Sequence, residues 1–234
     1  LFSEGQGYEL GITSSCEGLT LAHYVEDIRA HHFGPVILRS HNVEHLIWSR
    51  SAFYEGNSSK QWYLKLQSER LKKFELERSA QFDAIVPITA TDTGAFKSFG
   101  IKLPMKTAFC GVDVANSKQE AFEETPKFFF VGAFDWLPNL VGINWLVDHV
   151  WPKIVSQEPE AELHILGRHS PSELQKVKGV FVHPDQNVAH SFFEKNQILL
   201  VPLKSGSGLR IKIVEAMSLG KAVVSTYVGA EGIH

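Results

Sequence analysis

Short apolar runs recur along the second half of the chain, each bounded by turn-forming residues. These runs are 127–131, 162–166, 180–182, 197–203 and 222–225. Runs of this length that are rich in β-branched and aromatic residues are typical of buried strands. Helical patterns lie between them. Because strands alternate with helices, the pattern predicts βαβ units, parallel sheets and an α/β fold.

The helical patterns differ in strength. Pro138 suits the first turn of a helix, and apolar positions at spacings of three and four then predict one helix face over 143–154. Pro152 should kink this helix or weaken its end. Cap-like residues at 170–173 open a second helix, and a third is predicted over 210–219. The second half therefore reads as one Rossmann-like unit.

The first half follows the same logic less completely. Strands are predicted over 36–38, 84–86 and 107–109, and helices over 19–33 and 60–82. We predict an N-terminal Rossmann-like domain over 1–113, a polar linker over 114–126, and a C-terminal Rossmann-like domain over 127–234. Because the chain does not begin with Met and no helix follows its last predicted strand, we expect both domains to be incomplete.

Composition narrows the class of protein. The 234 residues are 44% hydrophobic and 21% charged, with a net charge of -3, so a basic nucleic-acid-binding face is not expected. The apolar runs are much shorter than the roughly 20 residues that span a bilayer. Cys16 and Cys110 form no disulfide or metal pattern, which favours a reducing, cytoplasmic setting.

The strongest chemical motif is a glycine loop between a predicted strand and a predicted helix, with glycines at 206 and 208. Glycines let backbone N–H groups approach a ligand closely, and a helix N-terminus suits a phosphate. Arg210 and Lys212 add positive charge, and Glu215 is placed to accept hydrogen bonds from a ribose. The alternative is a plain glycine turn flanked by solvated charges.

This motif resembles the donor-binding segment of the family-4 (group 1) glycosyltransferases, bacterial polysaccharide-type branch. The segments that carry the resemblance are 206–226, 229–232, 130–139, 150–154 and 38–45. The resemblance implies a GT-B fold, in which two Rossmann-like domains face each other across a cleft. It also implies a nucleotide-sugar donor held mainly by the second domain, an acceptor held mainly by the first, and transfer with retention.

The resemblance assigns roles to individual residues. Glu215 matches the second acid of the family's Glu-x7-Glu motif, which usually contacts the ribose, whereas Ser207 stands in place of the first acid, which usually contacts the donor sugar. The family often has an Arg and a Lys after the first strand of the second domain; 132–139 contains neither, and we expect Arg210 and Lys212 to substitute. The expected donor-binding residues are Gly132, Gly206, Ser207, Gly208, Leu209, Arg210, Lys212 and Glu215.

His41 follows a predicted strand of the first domain, where the resembling family has a histidine near the donor sugar and phosphates. We therefore expect His41, Arg210 and Lys212 to be the catalytic residues, with His41 as a polar contact rather than a nucleophile. Packing at the domain face is the alternative role for this histidine. His41, Glu44 and His45 also match the zinc motif His-x-x-Glu-His, a weak alternative because that motif needs a helix and a third ligand.

The predicted function is a retaining glycosyltransferase acting on a saccharide or lipid-linked acceptor in bacterial surface polysaccharide synthesis. The resemblance implies transfer without a metal or cofactor, and the sequence agrees, since no two aspartates stand two positions apart and an Asp-x-Asp metal pair is absent. A peripheral contact with the inner face of the membrane through missing regions stays open. A sugar-nucleotide epimerase of the same fold and a non-catalytic nucleotide-binding module are the alternatives. Glu75, in a charged helix, is expected on a solvated face.

Overall fold

The computed structural model describes residues 14–31, 33–112, 125–183 and 189–233. These residues form two compact units. The first unit contains the described residues up to Cys110, together with Ser207–Leu209 and residues 231–233. The second unit contains the described residues of Gly111–Gly206 and Arg210–Ala230. Within the glycine loop, Ser207–Leu209 therefore belong to the first unit, whereas Gly206 and Arg210 on either side belong to the second.

The first unit is built on a three-stranded parallel sheet in the order β1-β2-β3. The strands are β1 (Ser14–Glu17), β2 (Val36–Ser40) and β3 (Ala84–Pro87). Its helices are α1 (Val25–His31), which a 3-10 turn over Leu19–Tyr24 precedes, α2 (Glu44–Tyr54), α3 (Ser58–Ser79) and α4 (Ala90–Ser98). Fully buried Val36, Leu38 and Ile85 of the sheet form the core with Phe96 of α4.

The strand predicted over 107–109 is wrong. Only one isolated bridge, between Ile85 and Met105, and a hydrogen bond from Ala108 N to Pro87 O connect this part of the chain to β3. Contacts this sparse do not make a ladder, so the segment stays irregular. The sequence analysis also missed β1, α2 and α4.

The second unit is built on a five-stranded parallel sheet in the order β6-β5-β4-β7-β8. Its strands are β4 (Lys127–Val131), β5 (Glu162–Leu166), β6 (Val180–His183), β7 (Ile198–Val201) and β8 (Ala222–Ser225). From β4 the chain adds β5 and β6 on one side of that strand and then β7 and β8 on the other side. In open α/β sheets, ligands bind beyond the carboxyl ends of the strands at such a switch point, here between β4 and β7.

Helices of the second unit follow the predicted pattern with local changes, except for the helix over Ala189–Lys195, which the sequence analysis missed. They are α5 (Leu137–Trp145), α6 (Trp151–Gln157), α7 (Ala189–Lys195) and α8 (Ile211–Ser218). A π turn over Leu146–Val150 joins α5 to α6 just before Pro152, the residue predicted to kink this helix or weaken its end. The helix predicted from 170–173 is only a 3-10 turn over Ser172–Lys176.

Apolar side chains of β4, β5 and the α5–α6 stretch form the core of the second unit. Phe130, Leu163 and Ile165 from the strands and Ile143 from α5 are fully buried, and Trp151 of α6 packs with them. This core fixes the carboxyl end of β4, where the loop containing Gly132 begins. Among the residues that the structure describes, no helix has both the length and the apolar character that crossing a bilayer requires.

Candidate functional site

The carboxyl end of β2 brings His41 next to the glycine loop. His41 follows the last residue of β2 directly and is exposed. Gly208 lies so close that an added Cβ would overlap the carbonyl oxygen of His41 and the side-chain oxygen of Asn42. Gly208 also has a φ of 77°, a conformation that favours glycine. Two residues that the sequence placed in one site, 167 positions apart in the chain, are therefore neighbours in the first unit.

Ser207 is an internal hydrogen-bonding residue of the first unit. Its hydroxyl donates to Oδ1 of Asp92 at 2.9 Å and accepts from the backbone N–H of Val43 at 2.9 Å. Val43 precedes α2, and no side chain from the helix itself caps that position. Because the serine hydroxyl is buried in these contacts, it satisfies a helix-terminal donor instead of facing outward.

Three residues after Asn42, His45 forms a buried pair with Glu75 that fixes the start of α2. His45 and Glu75 are 4% and 1% exposed, and His45 Nδ1 lies 2.5 Å from Glu75 Oε2. The Glu75 carboxylate also accepts from the backbone N–H groups of Glu44 at 3.1 Å and His45 at 3.4 Å. The expectation that Glu75 lies on a solvated face is wrong. Its carboxylate binds a helix N-terminus, where negative charge is favoured.

Lys212 lies at the switch point of the second unit. Its Nζ donates to the carbonyl oxygen of Val131, the last residue of β4, at 2.6 Å and reaches Oδ1 of Asn139 at 3.4 Å. The same ammonium group lies 4.6 Å from the centre of the Phe130 ring. Burial, and secondarily the charge of Arg210, lowers the pKa of Lys212 to about 7. The first turn of α8 thus brings an amine to the end of the first strand of this unit.

Arg210 precedes α8 and is 6% exposed. Its guanidinium packs against Gly206, where an added Cβ would overlap it, and lies 5.8 Å from the centre of the Trp136 ring. Gly206 has a φ of 146°. Arg210 and Lys212 are therefore both positioned near the loop that follows β4, the part of the chain in which the resembling family often has its own Arg and Lys.

The remaining predicted donor-binding residues are Gly132 and Glu215 of the second unit and Leu209 of the first. An added Cβ at Gly132 would lie 2.6 Å from Nδ2 of Asn139, the amide that donates to the carbonyl of Ala133 at 2.8 Å, so glycine is needed where this loop folds back. Glu215 lies on α8, three residues after Lys212, and is exposed. Its exposure is compatible with the ribose contact that the resemblance implies, which stays a prediction. Leu209, in the first unit, is half-buried.

The zinc alternative finds no support in the described part of the chain. His41 stands before α2 and His45 within it, so the two do not share a helix face. Over residues 14–31, 33–112, 125–183 and 189–233, no group of three or more His, Cys, Asp or Glu side chains could hold a metal ion. His45 instead binds Glu75.

Sequence reasoning missed three residues that shape these surroundings: Asp92, Glu75 and Asn139. Asp92 and Glu75 are acids whose partners lie far away in sequence, which no local pattern reports. Asn139 was noted only as part of the stretch after the first strand of the second unit. For Asp92 the sequence did offer one local signal. An acid three residues after a threonine, as Asp92 follows Thr89, is typical of the start of a helix.

Replacement of Gly208 by alanine should disrupt the loop beyond the cost of its backbone angle. Gly208→Ala adds overlap with the His41 carbonyl to the strain of a positive φ, whereas Gly220, at φ 69°, has open space around an added Cβ. Strain at such an angle costs about 1–3 kcal/mol. We expect Gly220→Ala to lower stability by that amount alone and Gly208→Ala to lower it further, as measured by chemical denaturation. Equal losses would contradict the close approach of Gly208 to His41.

Comparison with known proteins supports the assignment made from the motifs. The family model described as "Glycosyl transferases group 1" matches residues 125–234. An uncharacterised 44.6 kDa protein in the cps region of Klebsiella pneumoniae is 26% identical in an alignment of 210 residues that covers 84% of this chain. The chain spans about half the length of that relative, 52%.

Solved structures show the fold. TarM has a TM-score of 0.69 at 15% identity, covering 95% of this chain and 43% of its own. Sucrose-phosphate synthase from Thermosynechococcus elongatus has a TM-score of 0.70 at 15% identity, covering 93% of this chain and 56% of its own. A trehalose-6-phosphate protein from E. coli has a TM-score of 0.63 at 10% identity, covering 95% of this chain and 60% of its own.

The parallel sheets and these similarities confirm the α/β, GT-B-like fold that the sequence predicts. The glycine loop, α8 and the carboxyl end of β4 all fall inside the part that the family model matches. By sequence, residues 125–234 are thus similar to the group 1 glycosyltransferases.

Proposed function

We propose that the whole protein is a retaining glycosyltransferase that moves a sugar from a nucleoside-diphosphate donor to a saccharide or lipid-linked acceptor. The family match over residues 125–234 supports the reaction class. The cps-region location of the Klebsiella pneumoniae relative supports a role in bacterial surface polysaccharide synthesis. In this proposal the enzyme acts in the cytoplasm, at the inner face of the membrane when its acceptor is lipid-linked, and needs no metal or cofactor.

Ligands bound to structurally similar proteins support the donor class. A complex of S. aureus TarM contains UDP and alpha-GlcNAc-glycerol, and the trehalose-6-phosphate protein from E. coli is bound with UDP-2-fluoro glucose. These ligands are a nucleoside diphosphate, a donor analogue and a sugar-bearing small molecule. We extend the nucleoside-diphosphate part of this chemistry to the present chain.

One observation carries the proposal: Lys212 and Arg210 are gathered at the carboxyl end of β4, at the switch point of the second sheet. Glycosyl transfer leaves a nucleoside diphosphate with additional negative charge. Positive groups fixed beforehand stabilise such charge as it develops, because they need no reorganisation during the reaction. Lys212 is fixed by the Val131 carbonyl and Arg210 by packing against Gly206 and Trp136.

The other proposed roles follow the resemblance. Glu215 is the proposed ribose contact, and its exposure on α8 suits that role. His41 is the proposed polar contact to the donor sugar and phosphates. Its place at the carboxyl end of β2 beside Gly208 suits that role. Ser207 stands where the family's first acid contacts the sugar, so recognition of the donor sugar must use other groups.

Replacement of Arg210 by alanine tests the proposed diphosphate contact. Loss of a charged hydrogen bond costs about 1.5–3 kcal/mol, so we expect donor affinity to fall about tenfold or more. The measurement is calorimetry on the full-length protein, with UDP-glucose, GDP-glucose and ADP-glucose as probes. The control is Arg168→Ala, since Arg168 also follows a strand of this sheet but pairs with Asp135 at the surface, 3.6 Å away. Equal losses of donor affinity in both variants would mean that Arg210 acts only through its positive charge and not through a specific contact. Unchanged donor affinity in Arg210→Ala would contradict the proposed diphosphate contact.

Product analysis separates the three candidate activities. A glycosyltransferase hydrolyses its donor slowly without acceptor and, with acceptor, forms a product whose anomeric configuration matches that of the donor by NMR. An epimerase converts the sugar nucleotide without any acceptor into an epimer. A binding module raises the melting temperature with a nucleotide but turns over no donor. Inversion at the anomeric carbon would contradict retention while leaving glycosyl transfer intact.

A further inference from the structure

A buried acid outside the predicted site binds the glycine loop. Asp92 of α4 is 3% exposed. Its Oδ1 accepts from the hydroxyl of Ser207 at 2.9 Å, and its carboxylate also accepts from the backbone N–H of Gly208. Its Oδ2 accepts from the hydroxyl of Thr89 at 2.6 Å. Two of the three donors therefore belong to the loop, and the third belongs to the cap of the helix that carries the acid.

The local sequence explains why an acid can occupy this buried position. Thr89 caps α4 by accepting from the backbone N–H of Asp92, and Asp92 lies in the first turn, where the helix dipole favours negative charge. Burial raises the pKa of Asp92 and the nearby charge of Glu231 raises it further, while the hydrogen bonds from Thr89, Ser207 and Gly208 oppose this shift. The carboxylate is thus costly to bury, and the loop supplies part of the compensation.

Asp92 also accounts for the residue type at position 207. In the resembling family an acid stands there, whereas this chain has Ser207. A carboxylate at 207 would lie within hydrogen-bond distance of Asp92, and two carboxylates that close repel each other. A hydroxyl can instead donate to Asp92 and accept from Val43 at the same time. Ser207 and Asp92 are therefore chemically matched.

The second contact of Asp92 with the loop is the backbone amide of Gly208. We call the two contacts of Asp92, with the Ser207 hydroxyl and the Gly208 amide, the clamp. The sequence analysis expected the loop amides to bind phosphate, but the N–H of Gly208 is directed to Asp92. The contribution of this amide is then indirect. It fixes the backbone where Gly208 passes over the carbonyl of His41, which holds the loop beside the residue proposed to face the donor.

We propose that Asp92 is the positioning residue of the glycine loop, which it holds through the Ser207 hydroxyl and the Gly208 amide in the conformation that binds the nucleotide-sugar donor. This inference rests on the proposed function for its last part, binding of the donor. The geometry of the clamp stands apart from that function and can be measured without any ligand.

The first test measures the clamp itself. Hydrogen exchange at the amide of Gly208 is followed by NMR or by mass spectrometry with fragmentation in the full-length protein. Asp92→Ala should raise that exchange rate about tenfold or more, because the amide loses a charged acceptor. Asp92→Asn keeps one acceptor oxygen and should show a smaller rise. Phe96→Leu, a change in the buried apolar face of the same helix, is the control, since it weakens packing without touching the loop.

The second test measures donor binding. UDP-glucose, GDP-glucose and ADP-glucose are titrated into each variant below its melting temperature, and the tightest probe is used for comparison. Asp92→Ala should bind about tenfold more weakly or worse, Asp92→Asn should be intermediate, and Phe96→Leu should bind like the natural protein even where its melting temperature falls. A merely structural role for Asp92 predicts instead that affinity follows melting temperature in all three.

A reciprocal exchange provides a third test. Ser207→Glu alone should raise the exchange rate at Gly208 through repulsion by Asp92. In the background of Asp92→Ser the same change should be less harmful, because the acid and the hydroxyl have changed places. A double-mutant cycle measures this coupling, and purely additive effects would overturn the pairing of the two residues. If Asp92→Ala does not fold, Ser207→Ala and Asp92→Asn carry both measurements.

The outcomes are distinguishable. Unchanged exchange at Gly208 in Asp92→Ala overturns the clamp. Raised exchange with unchanged donor affinity shows that the clamp exists but does not serve donor binding, which overturns the positioning role. If the natural protein binds none of the sugar nucleotides, the proposed function fails and the positioning role fails with it, while the exchange data still decide whether Asp92 holds the loop.

Discussion

Replacement of Glu75 by alanine should lower the free energy of unfolding by about 3 kcal/mol or more, because three donors at the start of α2 lose their acceptor, at a cost of about 1–3 kcal/mol for each buried donor. Glu75 is 1% exposed and lies 2.5 Å from the ring of His45, which is 4% exposed. Since folded domains are stable by only about 5–15 kcal/mol, a loss of this size is a large share of the total.

The size of the expected loss follows from what Glu75→Ala leaves behind. The backbone N–H groups of Glu44 and His45 would lose their acceptor at the start of α2, and the His45 ring would lose its hydrogen bond. Buried donors without partners are costly, since water cannot reach them. The cavity left by the side chain adds to this.

Glu77 provides the matched control. It lies in the same helix two residues later, is 64% exposed, and makes only an i,i+4 pair with Lys73 at 3.8 Å. Glu77→Ala should change the free energy of unfolding by no more than about 0.5 kcal/mol. Glu75→Gln, which keeps an acceptor oxygen, should fall between the two. Denaturant unfolding measures all three, and similar losses in the two alanine variants would contradict a structural role for the buried acid.

The same contrast shows what the sequence could not reveal. Glu75 and Glu77 are chemically identical and stand in one charged helix, so the local pattern that gave Glu75 a solvated position offers no way to tell the two apart. What separates them is His45, 30 residues earlier in the chain. Burial of a charge depends on partners that are distant in the sequence. A single sequence does not show that Glu75 and His45 lie close together in the fold.

Strands of the second unit were predictable for a physical reason. Parallel strands covered on both faces become continuous apolar runs, and Lys127–Val131 and Glu162–Leu166 form strands over the predicted residues. The first unit gave weaker signals. Its α4 contains Thr, Asp and Gly, which favour caps and turns rather than helix interiors, so propensity alone did not predict it.

The sequence indicated which residues could belong to the candidate site, but it did not indicate which residues they contact. His41 and Gly208 were expected in one site and do lie together in the first unit. The expectation that Arg210 and Lys212 substitute for a missing Arg and Lys stays a prediction, now with Lys212 seen at the end of β4. Asp92 escaped notice because its importance lies in two hydrogen bonds to residues more than a hundred positions away.

Lys212 gives the last prediction: binding of a sugar nucleotide should take up a proton, and affinity should fall by up to about tenfold per pH unit above pH 7. Burial, and then the charge of Arg210, lowers the pKa of Lys212 to about 7 in the protein without donor. A diphosphate beside the amine favours its charged form and therefore raises that pKa. Between the two pKa values, binding and protonation are coupled.

The sign for stability is the opposite. A lysine whose pKa is depressed by folding binds fewer protons in the native state than in the unfolded chain, whose lysine pKa is about 10.4. The contribution of Lys212 to the free energy of unfolding is therefore unfavourable at and below pH 7 and becomes less so as pH rises from 7 towards 10. Donor affinity and the intrinsic stability contribution of this residue thus change in opposite directions over the same pH range.

Calorimetry with UDP-glucose, or with the tightest-binding sugar nucleotide, between pH 7 and pH 8.5 tests the coupling. Both phosphates of such a ligand are esterified, so the ligand itself does not titrate there, and buffers of different ionisation enthalpy report the protons taken up. Lys212→Arg keeps its charge at every pH in this range and should bind without proton uptake. The control Lys221→Met changes a lysine that donates to the Glu194 carbonyl and should retain the pH dependence of the natural protein. Affinity that is flat with pH, and no proton uptake by the natural protein, would mean that the amine of Lys212 does not face the diphosphate.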